Sequence, residues 1–298
     1  MNTLTIFTPT YNRGYLLPNL YESLIKQTNH DFCWLIIDDG SIDNTKQLVN
    51  KFQEERKINI IYIYQVNRGK HVAHNTALAM CHSELFFCVD SDDILTIDAI
   101  DTILKLNEEV KEDDILGFYF RKSTMNGKYS GENFPDNINR IGLMELYDRY
   151  RFTGEMAIIL KTKKISTYRF PVFDDEKFIS ESVFYEKIDS IAPMVINKKV
   201  IYLFEYLDDG YSANAIRLSH DNPKGTAIAY LSSSIHYKSP YLKIKKMAQY
   251  YAWIKVMKLD KKKFDTKGIL VVHKFVSLLL SVYYIRLFKR NLKTRTIK

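Results

Sequence analysis

Cysteine is scarce in this 298-residue chain: Cys33, Cys81 and Cys88 are the whole supply. Three is an odd number, no two are spaced for metal or redox chemistry, and each lies beside apolar residues. Reduced, buried thiols in a cytoplasmic protein are therefore expected. An internal repeat and a low-complexity segment are also missing, and because the first residues read as a strand no secretory signal is expected. The longest uncharged run near the C-terminus, Phe275 to Ile285, has 11 residues, well short of the ~20 that span a bilayer. Acid is nearly absent there as well. Lys238 to Lys298 holds 17 Lys or Arg against Asp260 and Asp265, a net +15, which leaves −7 on the other 237 residues.

What is present is enough apolar content, 46%, for a substantial core. Leu4 to Asn12 reads as a strand running into a polar turn, and residues 15–27 place Leu16, Leu20 and Leu24 on one helical face. Cys33 to Ile37 form a second strand ending at Asp38 and Asp39, with Gly40 in the turn and Ser41 or Asp43 as helix cap. A third strand, Ile58 to Tyr64, leads through Gly69 into another helix. An apolar run from Leu85 to Val89 then delivers Asp90, Asp92 and Asp93 together. Strands and helices alternating in this way predict a doubly wound, mostly parallel sheet. Both acidic clusters fall at the carboxyl ends of its strands, the edge where such sheets bind ligands.

Each cluster has a chemical use. Carboxylates at one strand end suit a hard cation, Mn²⁺ or Mg²⁺, that keeps some waters and binds substrate phosphates. A carboxylate such as Asp39 accepts one N–H from a ligand, and an aromatic ring such as Tyr11 stacks on a flat one. Asp38 either shares that role or caps its own turn. Arg68 and Lys70 flank Gly69 and either meet phosphate oxygens or face water. His71 and His74 lie one helical turn apart without a third ligand at a suggestive spacing, a weak basis for zinc.

TPTYNR at the start, IIDDGSIDNT after the second strand and VDSDD after the fourth resemble, in that order and spacing, the family-2 glycosyltransferases of GT-A fold. GKHVAHN, FISES and EYLDDGYSANAIRLSHDNPKG extend the likeness, to bacterial capsular and exopolysaccharide enzymes, over about residues 1–235. His74 stands where most of these enzymes carry Arg, so a basic role is not transferred to it. The resemblance implies a nucleotide-sugar donor whose uridine base meets the first acidic turn, its imide N–H accepted by Asp39 and its ring stacked by Tyr11, with Thr8, Pro9, Arg13, Asp38, Lys70, Asn75, Asp90 and Ser91 also binding donor, and Asp92 and Asp90 on the metal. It implies Glu181 as the base for the acceptor hydroxyl and inversion at the anomeric carbon, while Glu155, after a glycine and before an apolar run, reads either as a contact to the acceptor or donor sugar or as an ordinary loop acid. Asp174, Asp175 and Glu176 read as an exposed acidic loop, and Arg121 to Arg140 as an irregular loop on the acceptor side.

The expected organisation is a donor part over residues 1–120, an acceptor part over 121–237, and a basic, helical, amphipathic tail over 238–298. Such a tail fits an anionic membrane surface, with Trp253 or Phe275 inserting, or else a helix packed on the catalytic body. The membrane reading places the protein at the inner face of the cell membrane and suits an undecaprenyl-linked saccharide acceptor. Nothing resembles a nucleic-acid-reading motif. Two rival readings remain. One is a haloacid-dehalogenase-like phosphatase with Asp90 as nucleophile, although that motif normally follows the first strand. The other is a catalytically silent nucleotide-sugar-binding protein.

Overall fold

The computed structural model describes residues 2–110, 114–205, 214–264 and 271–295. Its first part alternates strand and helix: β1 (Leu4–Thr10), α1 (Leu17–Ile25), β2 (Phe32–Asp38), α2 (Thr45–Glu55), β3 (Asn59–Tyr64), α3 (Lys70–Met80) and β4 (Leu85–Cys88). There follow β5 (Ile94–Leu95), α4 (Ala99–Glu109), β6 (Gly117–Thr124), β7 (Arg140–Ile141), α5 (Leu143–Arg149), β8 (Met156–Lys161), α6 (Thr162–Ile165), α7 (Ser182–Ile188) and β9 (Met194–Phe204). Among the described residues the α-helices that follow are α8 (Ala215–Asp221), α9 (Pro223–His236), α10 (Pro240–Val256) and α11 (Val271–Arg295).

The strands form one sheet in the order β3-β2-β1-β4-β8-β6-β9-β5, with β7 on β9. β3, β2, β1 and β4 are mutually parallel, as the alternation predicts. β2 is buried at all seven positions, the signature of a strand covered by helices on both faces. Trp34 fills one side of it against Tyr21 and Phe52, and its indole N–H donates to Thr8 Oγ1 at 2.9 Å. In α1 the buried residues are Leu17, Leu20, Tyr21 and Leu24.

Beyond β4 the sheet continues where no simple alternation announces it. β8 joins β4 antiparallel, β6 joins β8 antiparallel, and β9 lies parallel to β6. Part of the expected irregular loop over residues 121–140 is therefore strand, because β6 runs through Thr124.

Two compact units result, Met1–Phe170 with Asp189–Asp208, and Pro171–Ile188 with Asp209–Lys298. In the second, Leu231, Met247, Tyr250, Trp253, Phe264 and Phe288 form the core. Trp253 is buried and donates its indole N–H to Pro223 O at 2.9 Å. It therefore belongs to the helical core and is not available to a membrane. Glu176 departs from the expected exposed loop in the same unit. It is buried, and its carboxylate accepts the Lys224 and Gly225 amides, both at 2.7 Å, at the start of α9. Asn222 accepts the Lys177 and Phe178 amides at 2.8 and 3.0 Å. A Cβ on Gly225 would lie 2.2 Å from Phe178 O, so only glycine fits. The DNPKG stretch thus fastens the 173–179 segment to a helix start. The part of the longer motif at residues 206–213 lies outside the described residues.

Candidate active site

Turns after β1 and β2 are stapled to each other at the carboxyl edge of the sheet. The Asn12 amide donates to Ser41 Oγ at 2.8 Å, Ile42 N donates to Asn12 Oδ1 at 2.8 Å, and Gly14 N donates to Asp43 Oδ2 at 3.0 Å. Asn12 takes a left-handed backbone, φ 52°, which asparagine tolerates better than most residues. Asp43 also accepts the Thr45 amide at 3.1 Å at the start of α2. Gly40, at φ +90°, lets the turn pass so close to Asn67 that a Cβ would lie 2.8 Å from its amide nitrogen. Tyr11, at the tip, is 47% exposed.

Asp38 and Asp39 are both buried, and protein donors meet most of their carboxylate acceptor positions. Asp38 accepts the Ser41 amide at 2.7 Å and the Tyr62 hydroxyl at 2.5 Å, which is the turn-capping role considered from sequence. Asp39, 4% exposed, accepts Gln65 Nε2 at 2.7 Å, Arg68 N at 3.0 Å and Gly69 N at 2.7 Å. A carboxylate has about four acceptor positions, so one remains for a ligand. These bonds set the loop that leads into α3 and thereby aim Lys70.

The second acidic cluster is neutralised differently. Asp90 Oδ1 receives Lys70 Nζ at 2.5 Å, and Asp92 Oδ2 receives Arg13 Nη1 at 2.7 Å. Among the described residues, Asp90, Asp92 and Asp93 form the one acidic group whose ligand oxygens lie within 4.8 Å of one another. Burial raises the Asp90 pKa, but Lys70, Lys122 and Arg13 outweigh it and hold the carboxyl below its ordinary value. Asp93 goes the other way, to about 7, through burial and the neighbouring Asp90 charge. Tyr202, on β9, donates to Asp93 Oδ2 at 2.6 Å and accepts the Asp90 amide at 3.0 Å. Lys122 Nζ lies 3.9 Å from the centroid of the Tyr202 ring and 3.7 Å from Glu155 Oε2. All the donor atoms offered are hard carboxylate oxygens, the set that suits Mg²⁺ or Mn²⁺.

Of the residues expected to bind donor, the structure brings Tyr11, Arg13, Lys70, Asp90 and Asp92 to this edge with exchangeable partners or exposed surface. Thr8 is wholly buried and serves Trp34. Pro9 lies within β1, opposite Ile37. Asn75 is engaged at both ends of its amide, donating to Phe170 O at 2.9 Å and accepting Phe170 N at 2.8 Å. Its observed work is to pin the main chain. Ser91 is buried in the acidic turn, and Glu155 is half-exposed beside Lys122. Glu181 is exposed and immediately precedes α7 in the other compact unit, its carbonyl accepting the Phe184 amide at 3.0 Å.

His71 and His74 pack among phenyl rings. His74 lies edge-on to Phe7, Phe86 and Phe170 at 5.2–5.7 Å, and His71 is edge-on to Phe170 at 6.3 Å. Burial, helped by Arg68, lowers the His71 pKa to about 4, and burial with Lys70 and Arg169 lowers that of His74 to about 3. Both are neutral core side chains. Lys122 and Tyr202 escaped the sequence reading because each lies on a strand far from the acidic turn in sequence. Asp93 was visible beside Asp92 but carried no separate role.

The pattern described as Glycosyl transferase family 2 matches residues 5–175. The chain is 24% identical over 230 residues to glycosyltransferase GlyG of Streptococcus pneumoniae serotype 4, covering 73% of this chain and 74% of that protein. It is 32% identical over 122 residues to the poly(ribitol-phosphate) beta-N-acetylglucosaminyltransferase TarP of Staphylococcus aureus, covering 40% of this chain and 37% of TarP. The structure of S. aureus TarS 1–349 in complex with UDP-GlcNAc superposes with a TM-score of 0.64 at 18% identity, over 94% of this chain and 79% of TarS 1–349. That likeness establishes the GT-A fold. The chain belongs to glycosyl transferase family 2.

Proposed function

We propose that this family 2 glycosyltransferase moves a sugar from a UDP-sugar to a saccharide or lipid-linked saccharide acceptor, with inversion, in bacterial surface polysaccharide synthesis. The observation that carries the reading is the acidic turn at Asp90–Asp93, held between Lys70 and Arg13 at the ligand edge of the sheet. The UDP-GlcNAc complex of TarS, a protein of the same fold, supports the choice of donor class. Asp92 and Asp90 would hold a divalent ion, Mn²⁺ or Mg²⁺. When bound, such an ion supplies Lewis-acid neutralisation of the donor diphosphate.

The chain's own residues do the rest. Tyr11 offers its exposed ring to the base, and Asp39 its remaining acceptor position to the imide N–H. Arg13 and Lys70 exchange their carboxylate partners for phosphate oxygens, a trade of one charge-assisted contact for another. The acceptor oxygen attacks the anomeric carbon as the bond to the diphosphate breaks, and its proton passes to Glu181, assigned here on the FISES motif. Glu155, already near Lys122, is placed on the sugar side. Asp90 follows β4 and not β1, which leaves the phosphatase reading without its usual topology.

Transfer to a saccharide acceptor from UDP-, GDP- and dTDP-sugars with Mn²⁺ tests this reading directly. UDP-sugar transfer is expected, and Glu181→Gln should reduce it by roughly 10²–10⁴ with donor affinity kept. Hydrolysis of simple phosphate esters, or donor binding with no transfer to any acceptor, would overturn it in favour of a phosphatase or a silent binding protein.

An inner-face membrane location is part of the same proposal. Among the described residues no helix is long and apolar enough to cross a bilayer. On α11, however, Phe275, Leu278, Leu279, Leu280, Val282 and Tyr283 are all exposed, with Arg286, Lys289 and Arg290 following them. Apolar side chains succeeded by cations, without an acid, suit an anionic lipid surface.

A further inference from the structure

The turn that carries Asp90 and Asp92 has a support that lies more than 100 residues away in sequence. The Tyr202 hydroxyl accepts the Asp90 backbone N–H at 3.0 Å and donates to the Asp93 carboxylate at 2.6 Å. One phenol oxygen thus spans the turn, using both its donor and its acceptor capacity. The turn's own closure is weaker, a single Asp93 N to Asp90 O contact at 3.2 Å. Tyr202 is 1% exposed and also stacks edge-on to Phe87 of β4 at 6.0 Å, so its ring cannot swing away.

Strand irregularity brings Tyr202 to this place. Tyr119 on β6 stands opposite Ile196, whereas Lys122, three residues later, stands opposite Tyr202, six later on β9. Three extra residues of β9 are therefore accommodated at two register shifts. Because side chains alternate between faces, an odd surplus reverses which face each later residue meets. Regular pairing would set Lys199 opposite Lys122; the bulges set Tyr202 there instead. Bulges recur beside active sites, where they re-aim side chains. Lys122 completes the arrangement. Its side chain is 13% exposed and its ammonium sits 3.9 Å from the centroid of the Tyr202 ring, a contact that strengthens with desolvation.

We propose that Tyr202 is the positioning residue of the metal-binding turn, and that Lys122 holds the Tyr202 ring in place. The assignment rests on the metal reading above. Removing the hydroxyl leaves a buried carboxylate and a backbone amide without their shared partner, so the turn loosens while Asp90 and Asp92 keep their chemistry. Tyr202→Phe keeps the ring and removes both hydrogen bonds. Lys122→Met keeps the phenol and removes the charge above it.

The test is calorimetric titration of Mn²⁺ into each protein at fixed UDP, with UDP binding in chelator as reference and backbone hydrogen exchange across residues 89–95. Tyr202→Phe should raise the Mn²⁺ midpoint about tenfold, with metal-free UDP affinity unchanged, and exchange in the turn should quicken for Tyr202→Phe and, to a smaller degree, for Lys122→Met, which is read by exchange because it also removes a cation facing Asp90. The KM for Mn²⁺ should rise while kcat at saturating metal stays within about twofold, a split that general destabilisation would not produce. If UDP binding by the parent needs Mn²⁺, Tyr202→Phe keeps the parental midpoint and both variants keep the parental exchange, the positioning role is overturned and the metal reading stands. If UDP binding by the parent is indifferent to Mn²⁺, the metal reading and this assignment fall together.

Discussion

Asp38 and Asp39 end β2, and Asp90 and Asp92 follow β4, so two acidic pairs occupy the same edge of one sheet. They differ in what satisfies them. The first pair is met chiefly by backbone, the amides of Ser41, Arg68 and Gly69, together with the Gln65 amide group and the Tyr62 hydroxyl. Backbone donors cannot be withdrawn without refolding the loop. The second pair is met by the ends of two long cationic side chains, Lys70 and Arg13. Such ends rotate away at the cost of a few rotamers and find an equivalent partner in a phosphate. Acids in one short sequence pattern thus divide into a fixed scaffold and an exchangeable site. Mere acidity does not tell them apart; the nature of the donor does.

The largest effect should come from the exchangeable pair. Asp92→Asn removes a ligand oxygen's charge and should lower turnover by about 10³-fold or more, with a melting temperature close to the parent's. Steady-state transfer assays and thermal melts, run side by side, check this. The opposite profile is expected of the scaffold. Asp39→Ala leaves the Arg68 and Gly69 amides without partners and should cost about 2–4 kcal/mol of stability, read from denaturant midpoints. A melting loss at Asp92 with none at Asp39 would reverse the comparison.

A pH-graded effect comes from α3, which the scaffold aims. His71 and His74 have folded pKa values of about 4 and about 3 against 6.5 ordinarily. Between those limits the unfolded chain binds more protons, so stability is full above about pH 6.5 and falls as the pH drops through that window. Denaturant midpoints measured from pH 7 to pH 4 should show the decline, and His74→Leu should flatten it by up to one proton's worth. An unchanged slope would place the acid sensitivity elsewhere. Smallest should be the charges at the end of the α11 stripe. Arg290→Glu should weaken co-sedimentation with anionic vesicles by roughly tenfold, at about 1 kcal/mol per charge near such a surface. Equal binding to neutral and anionic vesicles would count against the membrane location.

How far these features were legible in sequence follows from the range of the contacts. The parallel strands β1 to β4 and the acids at their ends show in local patterning, since each strand is a buried apolar run closed by a turn. The jobs of Thr8 and Asn75 do not, because Thr8 meets Trp34 and Asn75 meets Phe170 across the fold. Nor does the burial of Glu176, which depends on amides 48 and 49 residues later at the start of α9. Trp253 looked like a membrane anchor because its neighbours are basic, yet Pro223, 30 residues earlier, holds its indole inside the helical core. Lys122 and Tyr202 meet only through bulges in β9, and no periodicity rule places a register shift.

The central claim is that the acidic turn after β4 exchanges its cations for a metal-bound diphosphate while the turn after β2 stays fixed. Isothermal titration of UDP, with Mn²⁺ and with chelator, into the parent and Asp92→Asn tests it most directly. The account predicts that Mn²⁺ tightens UDP binding to the parent by at least about tenfold and has no such effect on Asp92→Asn. Identical UDP affinity in Mn²⁺ and in chelator for the parent, or an undiminished Mn²⁺ effect in Asp92→Asn, would contradict it.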